Sequence, residues 1–202
     1  MNFNFQIFIS IGITLILNYS SMRIAFTGPQ GSGKSTILQQ CKESNLFKDY
    51  KFIPSATRML RDKYNLKINQ ESNDITQLYI ADWYKDQHMN HHYNNAVYDR
   101  CVLDGCVYTD YLLNHDKVTQ KAFDYIFEVF KNYIKDYDII FYTMPLPLVA
   151  DGTRCMDEQY LKDIHETFQK YIKQYNIDVV YLKGNKEERF NLVKQIIFKY
   201  VD

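Results

Sequence analysis

The sequence predicts a three-layer α/β/α protein built on a five-stranded parallel sheet, and three observations predict it. From Met22 onward, short β-prone runs alternate with longer segments of helical periodicity. Such alternation implies parallel strands joined by helical crossovers, with helices covering both faces of the sheet. The first strand candidate also ends in a glycine-rich loop that runs directly into a helix.

Each element follows from local signals. Met22-Arg23-Ile24-Ala25-Phe26-Thr27 is the first strand, and Lys51-Phe52-Ile53, stopped by Pro54, is the second. A helix is expected over 74–88, with Asp74 and Gln77 as its capping box and Ile75, Leu78, Tyr79 and Trp83 marking one side. Ala96-Val97-Tyr98 is the third strand and ends in Asp99-Arg100. Helices over 105–114 and 119–135 follow. In the second of these Ala122, Phe123, Ile126, Phe127, Phe130 and Ile134 keep helical spacing and belong to the core. Asp138-Ile139-Ile140-Phe141-Tyr142 reads as a strand buried on both faces, closed by Pro145 and Pro147. A helix over 157–174 carries Leu161, Ile164, Phe168, Tyr171 and Ile172 on one face. Val179-Val180-Tyr181-Leu182 is the fifth strand, Gly184 a turn, and 187–200 a closing helix.

The 202 residues suit one domain with a full-sized core. Basic and acidic residues balance at 24 each, so no global field recruits nucleic acid or an anionic membrane, although a local basic groove stays open. The cysteines, Cys41, Cys101, Cys106 and Cys155, form no C-x-x-C pair and no zinc spacing. They read as free thiols in a reducing, cytoplasmic compartment.

Residues 1–21 stand apart from this pattern. The stretch from Phe5 to Leu17 is apolar and uncharged, but it is short for a membrane span and interrupted by polar residues. It also lacks the basic flank of a signal peptide, since the first basic residue is Arg23. Three readings are open: translated upstream sequence with Met22 as the start, a membrane-proximal anchor, or a packed extension. The domain itself is read as 22–202, with no stable membrane association.

The glycine-rich loop, Gly28-Pro29-Gln30-Gly31-Ser32-Gly33-Lys34-Ser35-Thr36, satisfies the Walker A spacing of a P-loop. Glycines let successive backbone N–H groups converge on phosphate oxygens, and the helix that begins near Lys34 adds its positive end. Lys34 is expected on the β- and γ-phosphates and the Ser35 hydroxyl on magnesium. With no metal-ligand cluster elsewhere, any metal should be a magnesium ion carried in with a nucleoside triphosphate, ATP.

A phosphate loop alone does not separate a kinase from an ATPase or a GTP switch. Asp99-Arg100 ends the third strand, at the sheet edge where ligands bind. Asp99 there could hold a magnesium-bound water or accept a hydroxyl proton, and Arg100 could grip a phosphate or sugar; a plain loop ion pair is the alternative. Arg58 and Arg61, one helical turn apart after the second strand, suit an anionic substrate or a solvated helix face. Asp151-Gly152-Thr153-Arg154 is either a lid whose arginine closes over the transferring phosphate or a turn into the next helix. Four of the six arginines, Arg58, Arg61, Arg100 and Arg154, lie at such places.

Several of these segments together resemble the small AAA-type P-loop domain of ribosylnicotinamide kinases and related phage and bacterial proteins. They are Arg23 to Gly28 with the loop, Asp99-Arg100-x-x-x-Asp104, Pro145-x-x-x-x-Asp151-Gly152-x-Arg154-x-x-Asp157, and Gly184-x-x-x-Glu188-Arg189. The resemblance spans Met22 to Ile197 and implies a kinase acting on a nucleoside- or nucleotide-type acceptor. Relatives usually carry a glutamate after the second-strand proline, where this chain has Ser55, which cannot serve as a general base at neutral pH. The role then passes to Asp99 or Asp104, unless the protein is not a phosphotransferase. Asp104 also suits a helix cap. The resulting expectation is catalysis by Lys34, Asp99 and Arg154, with substrate contacts from Arg58 and Arg100 and magnesium on Ser35 and Asp99. A nucleotide switch without a small acceptor, or a kinase of a modified DNA base, are the rivals.

Overall fold

The structure is a computed structural model that describes residues 21–91, 93, 95–146 and 157–201. Residues 1–20 of the apolar leader and the predicted lid, with Asp151, Gly152, Thr153 and Arg154, lie outside the described residues.

The strands β1 (Met22–Thr27), β2 (Lys51–Ile53), β3 (Asn95–Asp99), β4 (Ile139–Thr143) and β5 (Val180–Leu182) form a five-stranded sheet in the order β2-β3-β1-β4-β5. Every neighbouring pair is parallel. Among the described residues the helices are α1 (Lys34–Glu43), α2 (Ala56–Tyr64), α3 (Asp74–Met89), α4 (Val102–Leu113), α5 (Gln120–Tyr133), α6 (Glu158–Gln174) and α7 (Lys186–Val201). None of them is long and apolar enough to cross a membrane.

Two cores flank the sheet, and strand alternation sorts side chains between them. Ile24, Phe26, Val97, Ile139 and Phe141 pack against Ile37, Leu38 and Cys41 of α1 and Val193 and Ile197 of α7. Ala25, Ala96, Tyr98, Ile140 and Tyr142 face the larger layer of α3 to α6, where Tyr84, Val107, Ile126, Phe130, Ile164 and Phe168 are buried. The described cysteines, Cys41, Cys101 and Cys106, are buried free thiols.

The expected elements are present, with three local corrections. Helix α4 begins at Val102 rather than 105, because Asp104 caps it from within its first turn. Phe123, Phe127 and Ile134 only edge the core, whereas Val129 is buried in it. The third correction is larger: α3 turns the opposite side inward. Ile75, Leu78 and Tyr79 are exposed, while Thr76, Gln77, Ile80, Ala81, Tyr84, Gln87 and His88 are buried. The polar members of that face are satisfied from afar. Gln77 donates to Ser72 and accepts from Thr109, and His88 meets Asp136 and Tyr137. The cap of α3 is Asn73, which accepts from the Thr76 amide, and Asp74 instead takes both donors of Thr119 at the start of α5.

Candidate functional site

The site lies at the carboxyl edge of the sheet, where β1 opens into the loop Gly28–Gly33. The loop turns through positive φ at Gly28, Gly31 and Gly33. Gly28 is required: a Cβ there would sit 2.6 Å from the Thr143 carbonyl oxygen at the end of β4. The turn delivers the chain to α1, whose N-cap, Gly33, supplies no side-chain cap. The first backbone N–H groups of a helix have no acceptor within it, so this end points free donors and a positive dipole at the loop.

Ser32 fixes the loop's shape. Lys34 Nζ donates to Ser32 Oγ at 3.1 Å, the Ser32 hydroxyl to Thr143 Oγ1 at 2.6 Å, and the Thr143 hydroxyl to the Thr27 carbonyl at 3.0 Å. Lys34 also donates to the carbonyls of Gly28 and Pro29, at 2.6 Å each, and so folds over its own loop. Burial, and after it the neighbouring Arg100 guanidinium, brings the Lys34 ammonium down to about 7. Three carbonyl and hydroxyl oxygens therefore hold the amine where phosphate oxygens would compete for it. Gln30 and Thr36, the other loop members, are half-buried and exposed.

Asp99 ends β3 opposite Phe26 of β1. Its carboxylate lies 3.5 Å from Arg58 Nη2, and that same nitrogen lies 3.5 Å from Ser35 Oγ. One guanidinium thus bridges the two oxygens expected to hold magnesium. Ser35, Arg58 and Asp99 line a cavity of about 210 Å³ with Leu38, Phe52 and Pro54. Arg61 takes no part, since it turns away to pair with Asp62 at 2.7 Å in solvent. Ser55 caps α2 by accepting from the Arg58 amide and shares a hydrogen bond with Thr57, so a short polar side chain has a structural use there.

The next residue faces the other way. Arg100 takes a left-handed backbone conformation, φ 78°, which costs a side-chain-bearing residue about 1 kcal/mol or more. That conformation throws its guanidinium into the helical layer, 2.9 Å from Asp104 Oδ1 and over the ring of Tyr108. Asp104 is fully occupied. Its Oδ2 accepts from Thr27 Oγ1 at 2.6 Å and from the Cys101 amide at 3.0 Å, while Oδ1 takes Arg100. Arg100, Asp104, Gln77, Ile80, Tyr84 and Tyr108 line a pocket of about 20 Å³ that is more apolar than polar, space for about one water. Burial, with the Asp104 carboxylate second, holds the Tyr84 phenol well above its ordinary value, so it stays protonated.

The structure therefore brings together the loop, Lys34, Ser35, Arg58 and Asp99, and sets Arg100 on the far side of the same strand end. Thr143, Gln77, Tyr84 and Tyr108 were missed by sequence reasoning. Gln77 was read as a cap, and a threonine closing an apolar strand was the available signal for Thr143.

The fold has known counterparts. NadR protein in complex with NR superposes with a TM-score of 0.66 at 15% identity, over 90% of this chain and 51% of that one. NadR protein with NAD and AMP-PNP gives 0.66 at 17% identity, over 90% and 50%. The chain thus spans about half the length of NadR. Deoxyadenosine kinase from M. mycoides with bound dATP gives 0.62 at 17% identity, over 88% of this chain and 99% of that one. No match was found among curated protein sequences. The arrangement of loop, sheet and helices is that of the P-loop NTPases. A family profile described as an AAA domain matches residues 23–189, and the chain belongs to that family.

Proposed function

We propose that the protein is an ATP-dependent kinase whose acceptor is a nucleoside or nucleotide. The observation that carries this reading is the two-way strand end at Asp99-Arg100. Asp99 turns to the phosphate loop through Arg58 and Ser35, and Arg100 turns into a small, mostly apolar pocket that carries amide and phenol groups. A phosphate donor at the loop and an acceptor entering beside the strand end would be flanked by Asp99 and Arg100, and the Arg100 pocket would have to widen to admit the acceptor. NadR with NR and deoxyadenosine kinase, both P-loop proteins of this fold, supply the acceptor class by analogy.

In this reading the loop amides and Lys34 hold the triphosphate, and Lys34 exchanges its carbonyl partners for phosphate oxygens. Ser35 would hold magnesium directly and Asp99 only through a metal-bound water, since the two already share one cation, the Arg58 guanidinium, and this would leave the Asp99 carboxylate free to act on the acceptor. Magnesium, when bound, would neutralise charge on the phosphate chain. The acceptor hydroxyl oxygen attacks the γ-phosphorus, ADP leaves, and the hydroxyl proton passes to Asp99. Arg58, displaced from Asp99, is then available to the anionic acceptor or the transferring group. Arg154 is assigned to a lid that adds positive charge as the bond breaks.

The small pocket volume favours one rival, a nucleotide switch that takes no small acceptor. ADP release measured with ATP and magnesium across nucleosides, nucleoside monophosphates and nicotinamide riboside separates the two. Stimulation by one of them supports the kinase, and a rate indifferent to all supports the switch.

A further inference from the structure

The loop that cradles phosphate is braced from a second direction, by a residue on the last helix. Arg189 lies in the first turns of α7 and is buried to 4% exposure, although its helix runs along the outside of the sheet. Its guanidinium fans out to three backbone carbonyls. Nε donates to Gly184 at 2.8 Å, Nη1 to Ser32 at 2.7 Å, and Nη2 to Met144 at 3.3 Å. These oxygens belong to the turn after β5, the phosphate loop, and the end of β4. A planar fork carries its donors on separate, fixed nitrogens, so it reaches three acceptors spread over three segments, where an ammonium would gather them around one nitrogen.

The sequence around Arg189 is built to aim it. Gly184 has φ 86°, and any Cβ there would collide with the Glu188 carboxylate. Glu188 accepts from the Asn185 amide at 2.8 Å, and Asn185 Oδ1 accepts from the amides of Glu187 and Glu188 at 2.9 and 3.0 Å. The start of α7 is thereby closed on itself, and the Gly184 carbonyl is left for Arg189. At the other end, Ser32 is held twice: its hydroxyl by Thr143 and its carbonyl by Arg189. Fixing that carbonyl sets the peptide plane between Ser32 and Gly33, the residue that feeds the open start of α1.

We propose that Arg189 is a positioning residue for phosphate binding, a strut that holds the nest of loop amides in its binding shape before the ligand arrives. Preorganisation of this kind raises affinity by removing the ordering cost at the moment of binding. The inference rests on the reading of the loop as a triphosphate site, and it adds a residue that the loop motif does not contain.

The test uses the full chain and calorimetric titration with inorganic tripolyphosphate and, separately, with magnesium ATP. Arg189→Ala is expected to weaken both by about tenfold or more. Arg189→Lys keeps the charge but cannot span three carbonyls, and is expected to stay close to the alanine variant. Gly184→Ala changes no charge and displaces one of the three carbonyls, so it should weaken both ligands several-fold. Melting temperatures are recorded for each variant and titrations run well below them, so that unfolding is not mistaken for weak binding. If Arg189→Ala does not fold, the lysine and Gly184→Ala variants decide. Wild-type affinity in Arg189→Lys would mean that charge alone matters and would overturn the strut. Wild-type affinity in folded Arg189→Ala or Gly184→Ala, with only melting affected, would overturn it too. Failure of the wild-type chain to bind either ligand would instead remove the phosphate reading, and the strut with it.

Discussion

Helices α1 and α4 start at the carboxyl ends of neighbouring strands, β1 and β3, and their first turns are finished in opposite ways. The start of α1 has no side-chain cap and follows three glycine-permitted turns, so its amides face outward unfilled. The start of α4 is instead closed from within its first turn by Asp104, which accepts from Thr27, the Cys101 amide and Arg100 together. Helices α2, α3, α5 and α6 are capped by Ser55, Asn73, Thr119 and Asp157, so capping is the rule here. An uncapped start beside capped ones is where the oxygens of a bound anion would be accommodated. The same contrast sorts the two aspartates. Asp104 is already committed to Thr27, Cys101 and Arg100 inside the protein, whereas Asp99 faces one guanidinium that a bound cation can replace.

The comparison breaks first at Asp104. Breaking its buried pair with Arg100 leaves a charge uncompensated, so Asp104→Ala should cost about 3–5 kcal/mol in urea unfolding. A loss under about 1 kcal/mol would mean that α4 does not depend on this cap. On the open side, Lys34→Ala should lower magnesium-ATP affinity by about 10²-fold or more, through lost charge-assisted bonds, while the protein stays folded. Unchanged affinity by calorimetry would show that the lysine never leaves its carbonyl partners.

The lysine also makes the open start sensitive to pH. In the free protein its ammonium is brought down to about 7, and phosphate oxygens would return it toward its ordinary value. Binding above pH 7 must therefore take up a proton, and affinity should fall by up to about tenfold per pH unit from pH 7 to 9. For the free protein the sign is opposite. Burying this lysine penalises its charged form, and the penalty is relieved as pH rises from about 7 toward the unfolded value. Titrations in buffers of different ionisation enthalpy would count the proton directly; no uptake at pH 8 would remove Lys34 from the account. The smallest effect is expected at Arg61, which is paired only with its neighbour Asp62 in solvent. Arg61→Ala should leave the melting temperature and the ATP affinity unchanged.

Much of this was legible because it is local. The glycines, lysine and serine of the loop are adjacent, their spacing is dictated by phosphate geometry, and β1 and α1 on either side follow from short patterns. Asp104 could be read as a cap for the same reason, three residues from the amide it serves. Long-range partners could not be read. Thr143 meets Ser32 across 111 residues and Arg189 meets it across 157, with no periodicity to announce either. The inverted face of α3 has the same cause, since Gln77 and His88 are polar by composition and become buried through Thr109, Asp136 and Tyr137. Arg58 was expected on a substrate and is found on Asp99, a contact between α2 and the end of β3 that no local pattern announces.

The central claim is that the open helix start binds the donor while Asp99, not Asp104, serves the transfer. Its most direct test is acceptor-dependent ADP release at saturating ATP by wild type, Asp99→Asn and Asp104→Asn, with each variant's melting temperature recorded. The account predicts that Asp99→Asn melts close to wild type and loses about 10²–10⁴-fold in turnover, while Asp104→Asn melts lower but turns over in its folded fraction. A fully active Asp99→Asn beside a dead but stably folded Asp104→Asn would contradict it.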